Sequence, residues 1–204
     1  MREKTIDLFL EELSSGAPVP GGGGASALMG SVSSALCSMV ANLTTGKKKY
    51  AEYQGDIERI LKDTAVLTDK IADLMQKDAD AFEPLSKAYG IPKDDPERDD
   101  ILEAALVVAA QAPYDIVIKC KEVAALVEEL VTKGSRLAIS DVGVAASACR
   151  AAATGAAMNV YINTKLMKNR KYAEQLNEET NRAIDEIVAI CDKAYKEVYE
   201  GLSN

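Results

Sequence analysis

One carboxylate stands where the pattern of a helix requires an apolar side chain. Asp78 follows Leu74 by four residues and Met75 by three, so these side chains share one face of a predicted helix. Asp80 is rotated from Asp78 by about 200° and falls on the opposite face. Burying an ionised carboxylate without a partner is very costly. Asp78 is therefore either a structural group, in a buried salt bridge or capping a neighbouring helix, or a catalytic acid or base.

The composition narrows the possible chemistry, because the chain of 204 residues contains no His. A Ser-His-Asp triad and a His-ligated zinc or iron site are excluded, so a general acid or base must be Asp, Glu, Lys, Tyr or Cys. The cysteines show no CxxC spacing and fall within predicted helices, at Cys37, Cys120, Cys149 and Cys191. We expect them to be buried free thiols of a cytoplasmic protein.

A glycine run precedes the second predicted helix. Gly21, Gly22, Gly23 and Gly24 follow Pro18-Val19-Pro20, and the helix is predicted to begin at Ala25. Backbone N–H groups at such a junction can approach an anion or a polar ring, although a plain Gly/Pro loop has the same composition. No strand is predicted before the run and no Lys-Ser/Thr pair follows it at the Walker A distance, so a nucleotide loop is not indicated.

Composition favours one globular domain over residues 1–204, with 48% hydrophobic and 27% charged residues. Aromatic residues make up only 5% and Ala is abundant, which favours close helix packing. A net charge of −8 argues against nucleic acid or an anionic membrane as partner. The N-terminus has no apolar signal region, and Asp141 and Arg150 interrupt the apolar stretch 138–160, so no membrane span is predicted.

Hydrophobic periodicity predicts an all-α bundle of five or six helices with close-packed rows of small residues, and no β-strand or internal repeat. Pro84 is expected to kink or end the third helix, and Pro113 to kink the fourth. Asp95 and Ser140-Asp141 are read as helix caps. The predicted helices are Thr5–Leu13, Ala25–Thr44, Ala51 to about Ala88, Pro96 to about Lys133, Ser140 to about Lys168 and Tyr172–Glu200.

The fifth predicted helix carries a row that is small in the middle and polar at both ends: Asp141, Ala145, Ala148, Ala152, Ala156, Asn159 and Asn163. Asp141 and Asn159 share this face but lie about 27 Å apart at about 1.5 Å rise per residue. They cannot hold one reacting atom within one subunit. Either they serve opposite ends of the structure, or a second subunit brings one of them to the other's site.

Taken together, these residues make the chain resemble the cyclodeaminase/cyclohydrolase family of tetrahydrofolate enzymes over nearly its whole length. One departure is Gly24, where the family usually has Ser after the third glycine. The resemblance implies an all-helical homodimer that binds a folate substrate without a metal or nucleotide cofactor. Its marks, in order, are Pro20-Gly21-Gly22-Gly23, Met39-Val40 with Leu43-Thr44-x-Gly46-Lys47-Lys48-Lys49-Tyr50, Asp78-Ala79-x-Ala81-Phe82, Ile91-Pro92-Lys93, Ser140-Asp141-x-x-Val144-Ala145-Ala146 and Asn159-Val160-x-Ile162-Asn163.

The resemblance also implies roles for single residues. Asp78 falls on the family's candidate catalytic carboxylate. The pterin edge would be bound by Asp141, Asn159 and Asn163, and Ser140, Gly21, Gly22 and Gly23 would also bind the substrate. Lys47, Lys48 and Lys49 would hold the glutamate tail, although a solvated turn has the same composition.

Members of this family either hydrolyse 5,10-methenyltetrahydrofolate to 10-formyltetrahydrofolate or cyclise 5-formiminotetrahydrofolate with loss of ammonia. We expect the cyclohydrolase, because hydrolysis needs only water and a poised carboxylate and no transferase domain accompanies the helices. The alternatives are the cyclodeaminase and a non-catalytic folate-binding module in which Asp78 is a structural ion pair.

Overall fold

The computed structural model describes residues 1–203, which contain six α-helices and no β-strand. The all-α prediction is confirmed. Two 3₁₀ turns, Lys48–Tyr53 and Arg136–Ala138, lead into α3 and α5. The α-helices are α1 (Ile6–Leu13), α2 (Gly22–Asn42), α3 (Gln54–Tyr89), α4 (Arg98–Lys133), α5 (Ile139–Thr164) and α6 (Arg170–Ser203).

The helix starts differ from the prediction by one to three residues, and the differences at α2, α4 and α5 change which residues cap the helix. α2 begins at Gly22, so the glycine run forms its first turn and is not a loop before Ala25. α4 has Glu97 as N-cap, and Asp95 instead accepts a hydrogen bond of 2.9 Å from the Glu97 N–H. The predicted cap at Ser140-Asp141 is wrong, because the preceding 3₁₀ turn starts α5 at Ile139 and places both residues inside its first turn.

The prolines inside helices do not end them. α3 continues through Pro84 to Tyr89, and α4 runs from Arg98 through Pro113 to Lys133. A proline removes one backbone hydrogen bond from a helix, and in a helix of 36 residues with a long apolar face the remaining packing outweighs that loss. Of the two effects predicted for Pro84, a kink or an end, the end is not observed, and α3 reaches Tyr89, close to the predicted bound at about Ala88.

α2 and α5 lie antiparallel in close contact because small residues line both helices. The Ser33 hydroxyl donates to the Ala145 carbonyl at 2.8 Å, joining residues 112 apart in sequence. Nearer the other end, a Cβ built on Gly155 would lie 2.7 Å from Ser26 Oγ. Close approach of the two backbones thus depends on the predicted small residues.

The four cysteines are free and buried in the core, as predicted. The Cys149 thiol lies 3.2 Å from the Cys120 carbonyl, which joins α5 to α4. Burial raises the pKa of the Cys37 thiol to about 12. Such protonated thiols act as small apolar side chains and not as nucleophiles.

One broad apolar surface of α2 and α5 remains exposed, and we call it the α2–α5 face. It consists of Val32, Met39, Leu43, Val144, Ala151, Met158 and Ile162.

The orientation of this face follows from the residues that point the other way, since Gly30 of α2 and Cys149 of α5 both face Cys120 of α4. Val32 and Ala151 are each two residues further on and therefore rotated by about 200°, away from α4. Both rows face the same way, and the spacing of seven between Val144, Ala151 and Met158 suits packing against another helix pair.

By length and composition alone, α2 and α4 could each cross a membrane. Core helices of globular proteins pass the same test, and both helices supply residues to the core. This property therefore carries no membrane assignment.

Candidate functional site

A cavity of about 270 Å³ opens where α2, α3, α4 and α5 meet. The first turn of α2 and the second half of α3 form two of its walls, and α4 and the last turns of α5 form the others. Six residues predicted from sequence line it, namely Gly21, Gly22, Gly23, Asp78, Asn159 and Asn163. Folding thus joins the glycine run, the misplaced carboxylate and two amides in one site.

The carboxylate of Asp78 is held against the first turn of α2. A Cβ built on Gly23 would lie 2.1 Å from Asp78 Oδ1 and 2.6 Å from Oδ2. No side chain fits at that distance, so the carboxylate can reach the α2 backbone only because residue 23 is a glycine. The nearby Gly24 N–H lowers the pKa of the same carboxyl. It is one of the N–H groups that a first turn leaves without an intrahelical partner.

Asp78 has no ion-pair partner within residues 1–203, so the salt-bridge alternative is not supported. The alternative in which Asp78 caps a neighbouring helix agrees with its position beside the Gly24 N–H of α2. Partial burial raises the pKa of the Asp78 carboxyl above its ordinary value of 3.8, and the Gly24 N–H opposes this shift. Burial is the larger effect. A half-buried carboxylate with a raised pKa and an open face toward a cavity suits proton transfer. Asp80, by contrast, is exposed and accepts from Gln76 at 2.7 Å.

The two asparagines use their amide N–H groups on backbone carbonyls. Asn159 Nδ2 donates to the Gly155 carbonyl at 2.9 Å. Asn163 Nδ2 donates to the Asn159 carbonyl at 2.8 Å and to the Ala109 carbonyl of α4 at 3.3 Å. Gly22 leaves room for Asn159, since a Cβ there would lie 3.2 Å from Asn159 Nδ2. With each Nδ2 committed to a backbone carbonyl, the side-chain oxygens of these two cavity-lining residues remain available as acceptors.

The apolar walls of the cavity were missed by the sequence analysis. Leu85 and Tyr89 continue the Asp78–Phe82 stripe at helical spacing, but the kink or end expected at Pro84 led the sequence analysis to stop that stripe at Phe82. No periodic signal marks the remaining lining residues, which are Pro18, Val19, Ala109, Pro113 and Ile162. These walls give the cavity the mostly apolar lining, with a few polar groups, that is typical of small-molecule sites.

The remaining predicted residues lie elsewhere. Lys47 donates to the Ser135 hydroxyl at 3.3 Å, and the Arg136 N–H donates to the Tyr50 hydroxyl at 2.9 Å. We call Lys47–Tyr50 together with Ser135 and Arg136 the basic corner. Lys48 and Lys49 are exposed there, and the Arg136 N–H lowers the pKa of the Tyr50 phenol.

Ser140 and Asp141, in the first turn of α5, directly follow the basic corner. Asn159 lies about 27 Å further along the same helix. Within one chain, the structure therefore does not bring the three lysines, Ser140 or Asp141 to the cavity.

A profile of the formiminotransferase-cyclodeaminase family matches residues 5–182. The chain belongs to this family. A methenyltetrahydrofolate cyclohydrolase from Methylorubrum extorquens is 38% identical to it over 199 residues, which cover 96% of each protein. The formimidoyltransferase-cyclodeaminase of Sus scrofa is 29% identical over 90% of this chain, and the match covers 35% of that protein.

A solved member of the formiminotransferase-cyclodeaminase family has the same fold. The crystal structure of formiminotetrahydrofolate cyclodeaminase from Thermotoga maritima matches with a TM-score of 0.85 and 30% identity, covering 100% of this chain and 99% of that one. The family resemblance inferred from the ordered motifs is thus confirmed by sequence and by fold.

Proposed function

We propose that this chain is a methenyltetrahydrofolate cyclohydrolase, which converts 5,10-methenyltetrahydrofolate and water to 10-formyltetrahydrofolate. The observation that carries the proposal is Asp78, a half-buried carboxylate without an ion-pair partner in residues 1–203, held on Gly23 at the wall of a ring-sized cavity. The M. extorquens relative of that name supports the choice, as its match extends over nearly both whole chains. Both relatives are named as enzymes, which argues against a non-catalytic folate-binding module.

The substrate's bridging carbon lies between N5 and N10 in an amidinium cation, so it is already electrophilic. The Asp78 carboxylate stabilises this positive charge and accepts one proton as water adds its oxygen to the carbon. The bond from that carbon to N5 then breaks, and Asp78 returns the proton to N5. The hydroxyl proton goes to solvent as the formyl C=O forms. One cationic bridge and one water thus give one neutral formamide group, with N5 carrying a hydrogen, and one proton.

This chemistry needs no Lewis acid and no electron carrier, because the cation supplies the electrophile. We therefore propose that the enzyme works without a metal or other cofactor, with the folate as its substrate. Full activity after dialysis against a chelator is the expected result, and loss of activity that is restored by a divalent metal would contradict it. The four buried free thiols support a cytoplasmic location.

The enzyme is proposed to act as a homodimer in which a second copy covers the α2–α5 face. Asn159 and Ile162 lie at the cavity end of this face, and Asp141 and Val144 lie at the end next to the basic corner. A two-fold axis through the middle of the face exchanges these ends. It would bring the basic corner, Ser140 and Asp141 of one copy to the Asp78 cavity of the other.

This arrangement supplies what a single chain lacks. Beyond its pterin ring, the folate carries a benzoyl group and a glutamate with negative charge. Lys47, Lys48 and Lys49 from the second copy would pair with those carboxylates, and Asp141 would add a further acceptor. The exposed apolar side chains of Val32, Val144 and Met158 would be covered in the same step.

The second candidate function is 5-formiminotetrahydrofolate cyclodeaminase, which is favoured by the fold match to the T. maritima enzyme of that name. Absorbance of the methenyl chromophore distinguishes the two. Decay after the enzyme is added to 5,10-methenyltetrahydrofolate, faster than the spontaneous rate and absent with Asp78→Asn, is the expected outcome. Appearance of the chromophore from 5-formiminotetrahydrofolate with release of ammonia, and no decay in the first assay, would overturn the proposal.

A further inference from the structure

Pro113 leaves one carbonyl of α4 without its helical donor. In an α-helix the N–H of residue 113 bonds to the carbonyl of residue 109, and proline has no N–H. Ala109 is only 7% exposed, so water does not readily replace the missing donor. A buried carbonyl without a partner is destabilising. A donor from another part of the chain is needed.

Asn163 of α5 supplies that donor. Its Nδ2 donates one hydrogen to the Ala109 carbonyl, with the nitrogen 3.3 Å from the oxygen, and the other hydrogen to the Asn159 carbonyl, at 2.8 Å. Because both neighbours are acceptors, the side chain has only one workable orientation, since a flipped amide would place oxygen against oxygen. Asn163 is 8% exposed, so its side chain has little space in which to move.

The oxygen of this amide is left for a ligand. Within residues 1–203 no hydrogen bond reaches Asn163 Oδ1, and the residue lines the cavity together with Pro113 itself. Asn159 is arranged in the same way, with its Nδ2 bonded to Gly155. Together with the Asp78 carboxylate, the site presents side-chain oxygens only as acceptors on this wall.

We infer that Pro113 is a positioning residue. The carbonyl that it leaves without a helical donor holds the Asn163 amide, so that Asn163 Oδ1 accepts hydrogen bonds from a ligand edge that carries N–H donors. A 2-amino-4-oxo pyrimidine edge, as in a pterin, has such donors, and in this respect the inference rests on the proposed function. The coupling between Pro113 and Asn163 does not rest on it. The proline thus adds the second of the two acceptors that fix the amide of Asn163, although Pro113 itself offers the cavity only an apolar ring.

The first test measures stability alone, in a cycle of Pro113→Ala, Asn163→Ala and the double variant. Asn163→Ala should raise the unfolding equilibrium constant by about tenfold or more, because it leaves the Ala109 carbonyl buried without a donor. In the Pro113→Ala background, residue 113 regains its N–H and can donate to the Ala109 carbonyl. There, Asn163→Ala should raise the unfolding equilibrium constant by less than about threefold. Equal costs in both backgrounds would overturn the coupling, whatever the substrate of the enzyme.

The second test separates positioning from stability. Pro113→Ala should fold at least as stably as the parent protein and raise KM for 5,10-methenyltetrahydrofolate by about 3- to 10-fold with kcat within about twofold, because a released amide loses one neutral hydrogen bond. Pro84→Ala is the matched control. It restores an N–H inside α3 at an exposed position and should leave KM unchanged. An unchanged KM in Pro113→Ala, or an equal rise in both variants, would overturn the assignment.

The donor edge is tested with two competitors, 6-methyltetrahydropterin and its 2-desamino-2-methyl analogue. The parent protein should bind the amino compound about 3- to 10-fold more tightly, and Pro113→Ala should lose this preference. Equal binding of both compounds by the parent protein would overturn the ligand assignment. In that outcome the stability cycle still decides whether Pro113 positions Asn163.

Discussion

Gly24 lies beside Pro20 at ordinary van der Waals distance, and a Cβ built there would be 3.4 Å from Pro20 Cβ. One residue earlier, a Cβ on Gly23 would overlap the Asp78 carboxylate. Two adjacent glycines in one helical turn thus differ in what they tolerate. A Ser at position 24, as is usual in the family, needs no rearrangement, whereas residue 23 must lack a side chain.

The adjacent glycines give a matched pair of variants. Gly23→Ala should displace the Asp78 carboxylate and reduce kcat/KM by at least about 10²-fold, the scale for losing a general acid or base. Gly24→Ala should retain activity and gain slightly in stability, because Ala is the better helix former. Steady-state kinetics and thermal melts on both proteins test this. Equal losses would mean that flexibility of the glycine run, and not contact with Asp78, is what activity requires.

Asp78→Asn should reduce kcat by at least about 10²-fold with little change in folate binding, because the amide keeps the shape of the side chain and removes its proton transfer. Asp80→Asn serves as the control, since Asp80 is exposed and contacts Gln76. Turnover and equilibrium binding should be measured for both variants. Comparable effects of the two substitutions would assign Asp78 to structure.

The stability of Asp78→Asn relative to the parent protein should increase with pH. The folded-state pKa of Asp78 is raised, so the folded state holds this proton more tightly than the unfolded state does. The stability that comes from the protonated form is complete below the unfolded pKa of about 3.9 and is lost as pH rises through the folded pKa. Asp78→Asn avoids that loss. Its stability relative to the parent protein should therefore be greater at pH 7 than near pH 4.

Chemical denaturation of both proteins at the two pH values measures this difference. A variant that is markedly less stable than its parent at pH 7 would show that the ionised carboxylate stabilises the fold, through its bond to the Gly24 N–H. The catalytic interpretation would then lose its main physical support.

The proposed homodimer predicts complementation between two inactive variants. One carries Asp78→Asn, and the other carries Gln at Lys47, Lys48 and Lys49. Random mixed dimers contain one native site in half of the particles, so co-expression should restore about a quarter of the parent activity. As the control, the two variants are purified separately and mixed under conditions in which their subunits do not exchange. No restoration in verified heterodimers, or full activity of a 21.8 kDa monomer, would exclude a site shared between copies.

The sequence predicted the central carboxylate because a charge on an apolar helical stripe is costly unless it is used. It predicted the six helices for the same reason, since periodicity reports which face of each helix is buried. Leu85 and Tyr89 were missed because a kink or an end was expected at Pro84, whereas in the fold packing beyond the proline outweighs one missing hydrogen bond.

The glycine run shows a different limit of sequence reasoning. Gly has low helix propensity, so Gly22–Gly24 read as a loop. In the fold these residues form the first turn of α2, where Asn159 occupies the space of a side chain at Gly22 and Asp78 that of a side chain at Gly23. The role of Pro113 could not be predicted either. The Ala109 carbonyl, which the proline leaves without a helical donor, accepts from Asn163, 50 positions after Pro113 in the sequence. Contacts between distant segments carry no local signature.

The hydrogen bond between Ser33 and Ala145 closes a loop of more than a hundred residues, and the cavity, which joins Gly22 to Asn163, closes a longer one. Contacts of such separation form late in folding, because the entropy of closing the loop is lost before the contact contributes. A growing chain on the ribosome therefore has no binding site until α5 has emerged and met α2. Folate in the cell can stabilise only the finished protein, so its supply should extend the lifetime of completed chains without assisting their synthesis.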